Sequence, residues 1–266
     1  MKENNHQYLI KVQYLGFRYS GWQKQPGQKT LESMILKTLK FVCSPAKVKI
    51  LGAGRTDAKV SAQLGFFELF TDTAIPDIAA FLERFNANLP PDIKILGCSI
   101  IGKEFNVIQD VAEKEYQYFF SYGDKNHPYC APFMANILCD LDIDKMTVAA
   151  KYYEGTHYFR SYTTRTKQSS DYQRTLTECS LKPNKILTAN FFPQKSYVLT
   201  VRGKGFMRYQ IRMIMGTLIQ VGKGEMELEE IMASLQRDSK LSLTAVAPGS
   251  GLHLTDLKYS APYDNV

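Results

Sequence analysis

Two hydrophobic periods alternate along this chain, and their order limits the folds open to it. "YLIKVQYLG" (residues 8–16) alternates apolar and polar side chains as a half-buried strand does. Leu31, Met34, Ile35, Leu39 and Val42 then recur at helical spacing behind Thr30, a residue suited to cap a helix. "KVKIL" and "SAQLGFFELF" have the apolar density of strands, "DIAAFLERFNANL" predicts a helix capped by Asp77, and "DIKILGCSI" a strand beyond the Pro90-Pro91 break. The order is β-α-β-β-α-β, that of a ferredoxin-like unit.

The second half repeats this succession more loosely. "EKEYQYFFSYG" is strand-like, "DKMTVAAKYYEG" helical, and "QRTLTECSL" and "SYVLTVRG" are strands. "GFMRYQIRMIMGTLIQVG" (205–222) predicts one long helix, "ELEEIMASL" a shorter one, and "GLHLTDLKYS" a closing strand. The predicted class is therefore α/β, in two related halves, residues 1–108 and 109–266. The boundary falls in "KEFNVIQDVA" (103–112), which has no clean period, and the mobile loop is expected at "RTKQSSDYQRT" (165–175). The halves share element order without a visible sequence repeat.

At 266 residues and 44% hydrophobic, the chain can bury a sizeable core. Its 33 Lys and Arg against 26 Asp and Glu leave +7, which points to a polyanionic partner, nucleic acid ahead of an anionic membrane surface. No stretch has the roughly 20 consecutive apolar residues of a membrane helix, and the N-terminal residues lack a signal-peptide core, so the cytoplasm is the expected compartment. The five cysteines are scattered and form no C-x-x-C pair, and the four histidines form no metal-binding pair. Buried thiols and metal-free catalysis are expected.

Chemistry concentrates in "GAGRTDAKVSAQ" (52–63), which sets two glycines and several charges between predicted strands. Gly52 and Gly54 let the backbone turn sharply and present Arg55, Thr56 and Asp57 at the sheet edge. Two readings of Asp57 fit: a carboxylate kept ionised by Arg55 and Lys59 for use as nucleophile or base, and a turn residue bonded to its own backbone. Tyr116, Tyr118 and Phe120 share one strand face, which suits packing as well as a site. On the predicted 205–222 helix, Met207, Ile211, Met215 and Leu218 form an apolar face, and Arg208 and Arg212, four apart, a basic ledge. Trp22 reads as a packing anchor. Lys11, Lys24, Lys29, Arg202, Lys204 and the basic residues between 165 and 174 are candidate phosphate contacts or simply solvated charges.

"GRTDAKVSA" resembles the G-R-T-D-x-G-V-x-A signature of TruA-type tRNA pseudouridine synthases. Six further blocks match that family in order: "YLGFRYSGWQKQP" (14–26), "NANLPPDI" (86–93), "KEYQYFF" (114–120), "GTHYFRSY" (155–162), "GFMRYQIRMIMGTLIQVG" and "APGSGLHL" (247–254). The resemblance implies a pseudouridine synthase fold: two ferredoxin-like halves whose sheets join, with an RNA cleft between them. It also implies a cofactor-free isomerase acting on uridine in the tRNA anticodon stem-loop, and a homodimer that grips one tRNA. By it Asp57 is the nucleophile, attacking ribose C1′ or base C6, and Arg55 binds phosphates around the everted nucleotide. Tyr116 stacks on the base and takes part in removing the C5 proton. Arg212 pairs with the aspartate and Leu252 gives the base an apolar wall; Arg208, beside Arg212 on the ledge, reads as an RNA contact or as a solvated charge.

The chain departs from the signature at Lys59, where the family has glycine, at Ser61, where bacterial members usually have histidine, and at Ile108, where arginine is common. A lysine at a positive φ costs on the order of 1 kcal/mol. The competing readings are a catalytically silent RNA-binding module of the same fold and an RNA chaperone-like role beside catalysis.

Overall fold

The computed structural model describes residues 6–164, 171–261 and 263. The chain forms two compact units, Met1–Ala112 with Leu254–Val266, and Glu113–His253.

In the first unit the predicted order is realised as β1 (His6–Tyr14), α1 (Leu31–Val42), β2 (Val48–Gly52), β3 (Ser61–Thr71), α2 (Ile78–Asn88) and β4 (Ile93–Ile100). These strands pair antiparallel in the order β4-β1-β3-β2, which places β1 and β3 at the centre. Local chemistry sets the helix ends. Thr30 and Ser33 satisfy each other's backbone N–H groups at the start of α1, and Asp77 accepts from Ala80 N at the start of α2. The spaced apolar residues Leu31, Ile35, Leu39 and Val42 are the buried face of α1.

The aperiodic stretch 103–112 ends where the first unit's N-terminal segment does, at Ala112, and part of it packs into that unit's core. Phe105 and Val107 are buried with Leu9 and Phe66, and Val107 N donates to the buried Glu68 carboxylate at 2.7 Å. Burial pushes that carboxyl up, with the Val107 hydrogen bond opposing. From Leu254 onward, β10 (Leu252–Tyr259) belongs to this unit, where Leu257 and Tyr259 enter the same cluster.

The second unit contains β5 (Val111–Tyr122, from Glu113 on), β6 (Ala135–Ile137), α3 (Ile143–Lys151), β7 (Gly155–Tyr158), β8 (Gln173–Pro183), β9 (Tyr197–Gly203), α4 (Gln210–Gly222) and α5 (Leu228–Ser234). Its main strands run antiparallel as β5-β9-β8-β7, and β6 adds a short parallel pairing to β5. The "GTHYFRSY" block supplies packing: Phe159 and Tyr162 are fully buried, and the Tyr162 hydroxyl lies 3.0 Å from Tyr153 and 2.7 Å from Ser234.

The predicted helix over 205–222 begins only at Gln210, because Tyr209 has left-handed backbone angles, φ 65° and ψ −1°, which a right-handed helix cannot propagate through. Strands β6 and β7, of three and four residues, are too short to show a period in the sequence. Of the loop expected at 165–175, residues 165–170 lie outside the described residues, and 173–175 begin β8.

Candidate functional site

Asp57 and Arg55 lie on the connection from β2 to β3, Arg55 exposed and Asp57 half-buried. That connection is laced to the segment following β1. Trp22 N donates to Thr56 O at 3.0 Å, Lys59 N to Tyr19 O at 3.1 Å and Gly16 N to Ser61 Oγ at 3.0 Å, while Tyr14 Oη lies 2.9 Å from Thr56 Oγ1. The turn closes through backbone, Val60 N donating to Asp57 O. Close approach requires glycine at two places. A Cβ on Gly16 would overlap the Val60 carbonyl, and one on Gly21, at φ 94°, would lie 2.8 Å from Thr56 O. Trp22 is core, packed between Tyr14 and Phe67.

The "NANLPPDI" block joins the same construction. Asp92 accepts from Arg18 Nε and from Tyr19 Oη, each at 2.7 Å, and its backbone oxygen accepts from Leu15 N. Burial alone pushes the Asp92 carboxyl up, but the Arg18 and Tyr19 bonds outweigh it and hold it below the usual range. Three sequence blocks therefore fix one loop. Lys59, which replaces the family's glycine, has φ 67°, and its ammonium lies 5.5 Å from the Phe17 ring centroid. Ser61, in place of histidine, is an internal hydrogen-bond acceptor, and Ile108 is exposed.

Tyr116, Arg208, Arg212 and Leu252 lie in the second unit. Tyr116 is half-buried on β5 opposite Val201 and meets the Phe206 ring edge-on at 5.4 Å. Tyr118 is fully buried and donates to Pro248 O at 2.8 Å; burial drives its phenol far up, the Arg212 charge pulling the other way, so it stays protonated. Tyr118 is support. Lys114, half-buried two residues before Tyr116, has its ammonium drawn down to about 8 by burial. Leu252 is buried at the start of β10.

Arg212 is clamped by residue 247 from both sides: its Nε donates to Ala247 O at 2.7 Å, and Ala247 N donates back to Arg212 O at 3.0 Å. Gly216 makes this possible, since a Cβ there would strike the Ala245 carbonyl. Arg208 precedes α4, so the predicted ledge along a helix face is not how the two arginines meet. Their guanidinium carbons lie 4.8 Å (Arg208) and 5.0 Å (Arg212) from the centroid of the same ring, that of Tyr209. Tyr209 was not among the predicted residues; an aromatic set between arginines in "RYQIR" was its available signal. Arg202, a candidate phosphate contact, is engaged by Glu115 and Glu178 at 2.5 and 3.3 Å. Among the described residues, no three His, Cys, Asp or Glu side chains are grouped to hold a metal ion, and no helix is long and apolar enough to cross a membrane.

A family model described as tRNA pseudouridine synthase matches residues 149–260. Similar curated proteins include tRNA pseudouridine synthase A of Aster yellows witches'-broom phytoplasma, 32% identical over 95% of this chain and 98% of that one. The enzyme of the same name from Pelobacter propionicus is 30% identical over 94% of this chain and 98% of its own, and that from Shouchella clausii 28% identical over 95% and 93%. A crystal structure of a Cbf5-Nop10-Gar1 complex aligns with 96% of this chain and 50% of that one at 14% identity and a TM-score of 0.38.

Proposed function

The chain belongs to the tRNA pseudouridine synthase A family, and from that premise we propose that it isomerises uridine to pseudouridine in tRNA, with Asp57 as the attacking carboxylate. In this reaction the N1–C1′ bond breaks and a C5–C1′ bond forms. The C5 hydrogen leaves as a proton and N1 gains one, so the composition of the nucleoside is unchanged and no external redox partner is needed. The reading is carried by the similarity that runs through 95% of the chain at 32% identity.

A covalent nucleophile must be held in place before substrate arrives, and it must also depart again. The hydrogen bonds at Thr56, Lys59 and Ser61 support this role by fixing the backbone on both sides of Asp57. Tyr116 is assigned the base-stacking and C5-proton role, Arg212 the stabilisation of the anionic site, and Leu252 the apolar wall. Arg55 is assigned to phosphates, with Arg208 as a second contact; the exposure of both suits that role. Eversion of the target base costs a few kcal/mol, which such contacts offset. The anticodon stem-loop as target, a homodimer as the working form and the cytoplasm as its place complete the proposal.

The test is tritium release from tRNA labelled at uridine C5. The parent protein should release tritium; Asp57→Ala should lower release by at least about a thousandfold, as expected for loss of a covalent nucleophile, while retaining tRNA binding in a gel shift. A parent that binds tRNA and releases nothing would instead identify a silent RNA-binding module.

A further inference from the structure

Tyr209 combines two features that its neighbours do not explain. Its backbone is left-handed, at φ 65°, although an L-residue with a Cβ is strained there and glycine is not. Its ring is the meeting point of two guanidinium groups, Arg212 at 5.0 Å and Arg208 at 4.8 Å, and Arg208 Nη2 also donates to its hydroxyl at 3.1 Å. A helix start needs neither property, so the ring is what tyrosine adds at this position.

We propose that Tyr209 is a positioning residue for the isomerisation: its ring fixes the plane of the Arg212 guanidinium and holds Arg208 beside it. A guanidinium on a flexible stem needs more than one contact to fix its orientation. Ala247 O takes the Nε–H of Arg212, and the Tyr209 ring supplies the face-on contact that stops rotation about that bond. These two contacts leave the Nη edge to its own interactions. The electron-rich ring also offsets repulsion between the two cations. The left-handed backbone brings one side chain to both arginines, which stand one residue before it and three after it. Strain retained at a functional position is the expected signature of such a device.

The proposal rests on assigning Arg212 to the reacting site, so its test has one arm that uses turnover and one that does not. Tyr209→Gly removes the ring and relieves the backbone; Tyr209→Phe keeps the ring and loses only the hydroxyl. The glycine variant should melt no lower than the parent, yet its kcat for tritium release should fall about tenfold with KM within about threefold. Phenylalanine should restore kcat to within about threefold of the parent. In NMR spectra of labelled protein, the Arg212 Nε–H signal should carry a ring-current shift in the parent and the phenylalanine variant. In the glycine variant that shift should vanish and the proton should exchange faster with solvent.

Full kcat in the glycine variant, or an Arg212 signal unmoved by losing the ring, overturns the proposal. If the parent itself releases no tritium, the enzymatic reading fails, and the Arg212 signal alone decides whether the ring holds the guanidinium.

Discussion

At the scale of single residues, Lys59 and Lys114 both occupy positions that disfavour them. Lys59 takes the left-handed backbone that glycine occupies without strain, at a cost of about 1 kcal/mol, and its ammonium–Phe17 contact offsets part of that. The loop keeps its cross-links all the same. Lys114 is disfavoured by burial, which lowers its ammonium from 10.5 to about 8. Between these two values the unfolded chain holds more protons than the folded one, so this group makes stability rise as pH rises from about 8 to 10.5. Parent and Lys114→Met proteins compared by urea unfolding across that range should show the parent gaining about 1–3 kcal/mol relative to the variant. A gap that does not change with pH would mean that the amine titrates as an exposed one does.

The same scale shows why some site residues were legible and others were not. Asp57 stood out because charge and glycine interrupt two apolar runs. Ala247 carries no such mark: it acts through a backbone carbonyl and amide, which every residue type except proline possesses.

At the scale of elements, the segment after β1 and the β2–β3 connection behave as one part. Their backbones touch at Gly16 and Val60, where no side chain fits. Gly16→Ala should therefore displace the loop and weaken the Gly16–Ser61 bond. We expect a loss of about 1–3 kcal/mol in stability, and a drop in kcat of up to about a hundredfold from a displacement near 1 Å. Gly97→Ala on β4, where the added carbon meets only Lys11 Cδ at 3.7 Å, is the control and should change stability by less than about 0.5 kcal/mol. Equal effects of the two substitutions, in urea melts and tritium release, would show that close packing at Gly16 has no special weight.

Helix α4 teaches a complementary lesson. Its apolar period extends back to Met207, but period reports only which faces are apolar. The start of the helix was set by a backbone angle at Tyr209, which no pattern of side-chain polarity encodes.

At the scale of the whole molecule, an excess of +7 predicts tRNA affinity that falls with salt, by at least about tenfold between roughly 50 and 200 mM. The cations should differ in how much they contribute. Arg55 is exposed, so Arg55→Ala should lower the slope of log affinity against log salt by about one. Arg202 is engaged by two carboxylates, so Arg202→Ala should leave the slope unchanged. Filter binding over a salt series separates the two outcomes, and a flat response to salt would exclude a phosphate-contact mode of binding.

The sequence alone determined the succession of the longer strands and helices, the helix caps at Thr30 and Asp77, and the candidacy of Asp57. All of these follow from residues within a few positions of one another, because period, propensity and capping are local properties. Tertiary structure alone decided that the blocks around Gly16, Asp57 and Asp92 form one scaffold, that residues from Leu254 onward belong to the first unit, and that Tyr209 gathers Arg208 and Arg212. These depend on contacts between distant positions and on backbone angles that strain permits only when surrounding packing enforces them.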